Sequence, residues 1–204
     1  KTKIFIHESK PQFMTTNLKI AYLVGADIRY VKRKNLKQIL DNELLDLKSL
    51  GYNPQYIYGG CHTYSGTKSF QDSASELANQ CKKHKIKPKY LVVASGTGST
   101  QAGLIAGSSK SLPNTKIIGI SISHEKVRGL ERIYEAFDFI KFNPKDEINF
   151  YDDFLAGGYS KSNLEQEETI RSAARAESLL LDPVYTGKAF FGLKQLIKSG
   201  EIKK

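Results

Sequence analysis

The sequence predicts an α/β fold: a mostly parallel sheet flanked by helices. Three observations carry this. Strand-length apolar runs alternate with helix-period segments along the whole chain. The run Tyr90-Leu-Val-Val-Ala94 is apolar on both faces, as in a parallel strand covered on two sides. A glycine-rich turn follows that run directly and leads into a helix-like segment. Such alternation implies right-handed crossovers.

The elements follow in order. Lys3-Ile-Phe-Ile-His7 reads as a short strand, and Thr15 and Thr16 can cap a helix that carries Leu18, Ala21, Tyr22 and Val24 and stops at Gly25. Ile28 to Val31 is the next strand. Leu36, Ile39, Leu40, Leu44, Leu47 and Leu50 recur every three or four residues, which predicts a helix over 36–50 ending at Gly51. Gly51, Asn53 and Pro54 cluster at a plausible boundary between two lobes. Gln55 to Tyr58 reads as a strand running into Gly59-Gly60, and 69–83 as a helix. After the strand at 90–94, a helix over 100–108, a strand over 116–122 and a helix over 127–139 are predicted. Asn163, with Gln166 three residues on, opens a helix over 164–178. A helix over 188–199 closes the chain.

Composition excludes several classes. In 204 residues, 40% are hydrophobic and aromatics are frequent, which excludes disorder. No apolar run approaches the ~20 residues of a membrane span. Cys61 and Cys81 are the only cysteines, so a disulfide scaffold is excluded and reduced thiols are expected. The chain opens on Lys1-Thr2-Lys3 and a strand rather than a leader-like run, and a cytoplasmic location is expected. Lys and Arg total 31 against 21 Asp and Glu, a net charge of +10 that suits an anionic partner. The basic runs at 32–37 and 82–89 are not interleaved with aromatics and read as solvated faces, so no nucleic acid is expected as partner. His7, His62, His84 and His124 form no ligand pattern; no metal is expected, and His62 reads as a surface or loop residue.

The segment Ser95-Gly96-Thr97-Gly98-Ser99-Thr100-Gln101-Ala102-Gly103 gathers backbone N–H groups and hydroxyls at the start of a helix, which suits a phosphate. Its spacing matches neither common nucleotide loop. Gln101 stands where a dinucleotide fingerprint needs its third glycine, and Gly98-x4-Gly103 is followed by Leu104 and Ile105 rather than by Lys and a hydroxyl residue. Two readings remain: a small phosphate held by amides, Thr97, Ser99 and Thr100, or a tight turn without a ligand. Two tyrosines also sit on glycine-containing turns before predicted helices: Tyr159 in Gly157-Gly158-Tyr159 and Tyr185 in Leu181-Asp-Pro-Val-Tyr-Thr-Gly-Lys188. Either is a packing residue or, with its pKa lowered, a proton donor and acceptor in a cleft.

Together, Leu91 to Gly103, the Gly-Gly-Tyr at 157–159 and the segment 181–188 resemble the 1-aminocyclopropane-1-carboxylate deaminase/D-cysteine desulfhydrase family, pyridoxal-phosphate enzymes of the two-lobed tryptophan synthase β-like fold. Tyr56-Ile-Tyr-Gly-Gly-Cys61 resembles the strand that opens the family's larger lobe, and Thr16-Asn17-Leu18 resembles part of its smaller lobe. The resemblance implies residues 1–55 as the remainder of the smaller lobe and 56–204 as the larger, phosphate-binding lobe. It implies pyridoxal 5'-phosphate as cofactor, with Gly96, Thr97, Gly98, Ser99 and Thr100 holding its phosphate. It makes Tyr159 and Tyr185 the catalytic tyrosines and sets Thr186 at the pyridine nitrogen. The deaminase branch typically has Glu at that place, so Thr186 favours a D-cysteine desulfhydrase-like lyase giving pyruvate, sulfide and ammonia. The string at 98–103 looks as much like the deaminase. An inactive relative that binds only a phosphorylated ligand is the third reading. A small amino acid as substrate and a homodimer are implied as well. The family's cofactor-bearing lysine, its ring-holding loop and its final strand have no counterpart here, so the chain is expected to be a piece of a longer enzyme, truncated at both ends and inactive alone.

Overall fold

The computed structural model describes residues 2–203. They divide into two compact units, Lys1–Tyr56 and Ile57–Lys204.

In the first unit, β1 (Lys3–Ile6) and β2 (Asp27–Tyr30) pair in parallel, with Lys3 opposite Asp27 and Ile6 opposite Tyr30. The connection between them is α1 (Thr16–Leu23), and Thr15 caps it by accepting the Leu18 amide at 3.3 Å. The apolar period at 36–50 becomes α2 (Leu36–Ser49), followed by Gly51 at φ +81°. Glu43 of α2 pairs with Lys3 of β1 and, at 2.8 Å, with Arg29 of β2, which ties the helix to both strands.

The second unit contains a three-stranded parallel sheet, β3 (Tyr90–Ser95), β4 (Lys116–Ser121) and β5 (Asn149–Tyr151), in that spatial order. Alternation along the strands divides the core. Leu91 and Val93 of β3 and Ile117 of β4 pack with Ala74 of α3 (Tyr64–His84) and Leu104 of α4 (Ser99–Ser111). On the same face, Phe150 of β5 joins Ala102 of α4 and Ile133, Ala136 and Phe137 of α5 (Lys126–Phe139). Tyr90, Val92, Ile118 and Ile120 point the other way, onto Leu193 and Leu196 of α7 (Thr186–Lys198). The remaining helix, α6 (Leu164–Glu177), packs on α7 and is capped by Asn163, which accepts the Gln166 amide at 2.9 Å. The Gln166 side chain does not return to its cap; it donates to the Phe154 carbonyl at 2.9 Å.

α3 and α4 cross very closely. A Cβ at Gly103 would lie 2.3 Å from the Thr67 carbonyl oxygen, and one at Gly107 would lie 2.3 Å from that of Gln71. Gly103 therefore belongs to a helix crossing, and this explains a glycine that the loop reading left without a role.

Three expectations change. Gln55 to Tyr58 lies in neither sheet: Tyr58 is extended (φ −66°, ψ 151°) and runs into a short 3-10 turn at Gly59–Cys61. β-propensity makes a strand only where a neighbouring ladder is offered. β5 was not anticipated, because its three residues lie between Lys145-Asp-Glu147 and Asp152-Asp153 and give no apolar run of strand length. And α3 starts five residues early, at Tyr64, because Thr63 caps it by accepting the Gly66 amide at 3.2 Å.

Candidate functional site

All three strands of the second sheet run the same way, so the segments that follow Ser95, Ser121 and Tyr151 leave from one edge. The carboxyl edge of a parallel sheet is where an open α/β fold places its ligands. The glycine loop leaves β3 there, and the turn with Tyr159 follows β5.

The loop is built around Gly98. Its φ is +84°, and a Cβ would lie 2.8 Å from the Ile133 amide nitrogen and 2.9 Å from the Arg132 carbonyl, so the backbone of α5 holds the turn closed from behind. Gly98 is the N-cap of α4, and no side chain caps that helix. The first-turn amides of a helix have no intrahelical partner, and the loop has no acidic residue between Ser95 and Gly103. Gly96 packs tightly too: a Cβ there would lie 3.1 Å from the Ile122 Cδ1. Thr97 donates its hydroxyl to the Gly60 carbonyl at 3.4 Å, and Gly60, at φ +67°, leaves room for the Thr97 methyl. Ser99 Oγ lies 2.9 Å from His62 Nδ1. Thr100 follows on the first turn.

His62 is not a surface histidine. It is buried, its Nε2 lies 3.2 Å from a Glu135 carboxylate oxygen, and its ring meets Phe139 edge-on at 4.9 Å. Glu135 also pairs with Arg132. Burial pushes the His62 pKa down; the hydrogen bond to Glu135 opposes that, Arg132 adds to it, and the result lies below the ordinary histidine value.

The two tyrosines meet: their hydroxyls lie 2.8 Å apart, with the rings edge to face at 6.2 Å. The hydrogen bond to Tyr159, with burial behind it, pushes the Tyr185 phenol up to about 12. A phenol that serves as a base needs a lowered pKa; the pair produces a raised one at Tyr185. Asp182 organises the turn beside them. Its carboxylate accepts the amides of Val184, Tyr185 and Thr186 at 2.7–2.8 Å, together with the Thr186 hydroxyl at 2.6 Å. Burial pushes the Asp182 carboxyl up, but these donors outweigh it and leave it below its usual value. The hydrogen of Thr186 is thus committed to Asp182. Gly187 is required because a Cβ would lie 2.6 Å from both the Asp182 carbonyl oxygen and the Ile170 Cδ1.

Among the described residues no hydrogen bond joins the tyrosine pair to the glycine loop. Lys188 connects them. It is fully buried, and its ammonium donates to the carbonyls of Leu155 (2.7 Å), Gly158 (2.6 Å) and Ile122 (3.4 Å). The first two carbonyls belong to the turn that carries Tyr159; the third is that of Ile122, just after β4, whose side chain lies against Gly96. Burial lowers the Lys188 pKa. His62, Glu135, Asp182 and Lys188 build the site although the sequence motifs did not single them out for it. Only Asp182 and Lys188 carried a signal, since they flank Tyr185 in one segment; His62 and Glu135 are 73 residues apart.

This combination, a parallel α/β unit with an uncapped helix start and a tyrosine pair at one sheet edge, fits the class of phosphate-cofactor enzymes. The chain belongs to the pyridoxal-phosphate dependent enzyme family, whose model matches residues 1–204. It is 32% identical over 163 residues to a D-cysteine desulfhydrase of Klebsiella pneumoniae (strain 342), covering 78% of this chain and 49% of that protein. The chain thus spans about half the length of the curated relatives it matches. A crystal structure of an ACC deaminase homologue superposes with a TM-score of 0.80 at 28% identity, covering 98% of this chain and 62% of the other. A processed threonine deaminase isoform 2 from Solanum lycopersicum superposes with a TM-score of 0.59 at 18% identity over 99% of this chain and 59% of the other, a likeness of fold.

Among the described residues no helix is long and apolar enough to cross a membrane, and no group of His, Cys, Asp and Glu could hold a metal ion.

Proposed function

We propose that this chain carries the phosphate-binding and tyrosine-bearing part of a pyridoxal-phosphate-dependent lyase or deaminase acting on a small amino acid. The observation that carries the reading is the turn at Gly98, which presents uncapped amides and the hydroxyls of Thr97, Ser99 and Thr100 at the sheet edge that also bears the tyrosine pair. These residues suit a phosphate: the amides at the start of α4 have no intrahelical partner and no side-chain cap, and no carboxylate of the loop competes with an anion. Gly96, Thr97, Gly98, Ser99 and Thr100 would hold the cofactor phosphate, and Thr186 would lie at its ring. The cofactor supplies an electron sink for the carbanion formed at the amino acid's α-carbon.

The residues of this chain then handle protons. With a pKa of about 12, Tyr185 keeps its hydrogen at neutral pH. Of two touching hydroxyls only one donates to the other, so one phenolic hydrogen stays free for a substrate atom. Tyr159 and Tyr185 together therefore act as a proton donor to a leaving group or carbanion rather than as a phenolate base. Asp182 fixes where Tyr185 stands, and Lys188 fixes the turn that carries Tyr159.

D-cysteine is the first substrate reading, with pyruvate, sulfide and ammonia as products. It is supported by the 32% identity to a D-cysteine desulfhydrase and by Thr186 at a place where the deaminase branch has Glu. The likeness to the ACC deaminase homologue favours 1-aminocyclopropane-1-carboxylate as the second. Residues 1–55 are assigned to the smaller lobe and 56–204 to the larger. A homodimer in the cytoplasm completes the proposal. The test is the complete gene product loaded with pyridoxal phosphate and supplied with each amino acid in turn. Sulfide and pyruvate from D-cysteine support the first reading, and 2-oxobutyrate from the cyclopropane amino acid supports the second. A protein that binds the cofactor yet turns over neither is an inactive relative, and one with no cofactor absorbance sinks the proposal.

A further inference from the structure

We propose that His62 is a positioning residue for the phosphate cradle: its protonation sets which way the Ser99 hydroxyl donates, so that anion binding at the 96–100 loop takes up a proton on His62. The inference rests on reading that loop as the phosphate cradle.

The geometry leaves few choices. Glu135 can only accept a hydrogen bond, so the ring nitrogen that faces it, Nε2 at 3.2 Å, carries the hydrogen. A neutral ring has no second hydrogen. Its Nδ1, 2.9 Å from Ser99 Oγ, is then a bare lone pair, and the Ser99 hydroxyl must donate to it. In that state Ser99 offers only lone pairs to whatever stands before α4, and lone pairs repel a phosphate oxygen. A protonated ring donates at both nitrogens: to Glu135 and to Ser99 Oγ. The Ser99 hydrogen is then released toward the anion.

The charged groups facing the ring come from α5. Glu135 attracts a ring cation, and Arg132, which shares Glu135, opposes it. Phe139 closes the ring's surroundings from the same helix, and α4 presents the Ser99 hydroxyl. Without an anion, burial favours the neutral ring. A dianion at the cradle shifts the balance, because it gains one hydrogen-bond donor and a nearby positive charge. By linkage, anything that raises the ring's proton affinity on binding must bind more tightly when the ring is protonated.

The experiment uses the complete gene product labelled with 15N-histidine, titrated with sodium sulfate. Sulfate stays a dianion over the whole range, so its own titration does not confuse the result. There are four histidines to resolve. The expected result is a His62 ring with one bare nitrogen at pH 7 without sulfate and two protonated nitrogens with it, an upward pKa shift of about one unit or more. Sulfate affinity should then fall about tenfold between pH 5 and pH 8, one pKa unit being a factor of ten. In Ser99→Ala the sulfate-induced shift of His62 should shrink, and the fall in affinity should flatten. His62→Gln, which removes the titrating ring, should bind sulfate with little pH dependence. Backbone amide shifts at 97–101 report binding independently of His62. If those amides move and His62 stays neutral, the coupling is overturned while the cradle stands. If neither sulfate nor pyridoxal phosphate moves them, the cradle reading itself is overturned.

Discussion

At the scale of single residues, two buried groups carry more of the site than their positions in the sequence suggest. Lys188 supplies three hydrogens to three carbonyls with no carboxylate beside it, so its role is that of an internal cation that holds two loops. Lys188→Met keeps the stem and removes the donors. Each buried carbonyl left unpaired costs about 1–3 kcal/mol, partly offset because a charge is no longer buried. The expected net loss is about 2 kcal/mol, read as a lower denaturant midpoint, with faster amide exchange concentrated at 152–163. An unchanged midpoint would remove Lys188 from the account. Tyr185→Phe deletes one hydroxyl of the pair. Turnover of the complete enzyme should fall ~10²-fold or more, while cofactor affinity stays as it was; equal losses in both would make Tyr185 a packing residue. Both residues sat in a motif the sequence displayed. The contacts themselves were not displayed, because Leu155, Gly158, Ile122 and Tyr159 come from segments that only folding brings near Lys188 and Tyr185.

At the scale of elements, glycines separate intrinsic preference from packing. Helix propensity says that Gly103→Ala should stabilise α4 by ~1 kcal/mol. The crossing says otherwise, since the added methyl would lie 2.3 Å from the Thr67 carbonyl oxygen and 2.6 Å from the Phe70 Cβ. Overpacking of that kind costs ~1–3 kcal/mol. We expect Gly103→Ala to lower the melting temperature; a rise would show that α3 and α4 can part cheaply. Gly98→Ala tests the loop in the same way, against a left-handed backbone and the α5 main chain at 2.8 Å. It should lower stability and also abolish phosphate binding, whereas Gly103→Ala should spare binding. The helices with clear period or caps, α2, α5 and α6, were legible nearly to their ends. β5 and the Gln55–Tyr58 segment were not. A three-residue strand needs a neighbour to be a strand at all, and a run of β-formers without a ladder stays extended chain.

At the scale of the whole molecule, the +10 charge has a less direct role than composition suggested. The proposed cradle uses amides and hydroxyls, and its response to pH comes from buried histidine. His62 and His124 are both held below the ordinary histidine value, burial being the first cause in each. A depressed pKa means that the native state binds fewer protons than the unfolded chain between about 6.5 and the folded value. Stability should therefore be full above about pH 7 and fall as the pH drops toward 5. Denaturant midpoints at the two pH values measure this. His62→Gln should reduce the difference, and sulfate should reduce it too by favouring the protonated ring. A flat profile would mean that these histidines titrate normally.

The α/β class, the order of most elements, the glycine loop and the two tyrosine turns were readable before any fold was known. These are written in local patterns: period, caps, glycine spacing and the motifs of one family. Folding alone made Tyr159 and Tyr185 share a hydrogen bond, joined their turns to the sheet edge through a lysine, and set His62 behind Ser99 rather than on the surface. The physical reason is the same in each case. A side chain's protonation and donor direction are set by what lies within about 3 Å of it, and those neighbours lie 26 to 73 residues away along the chain.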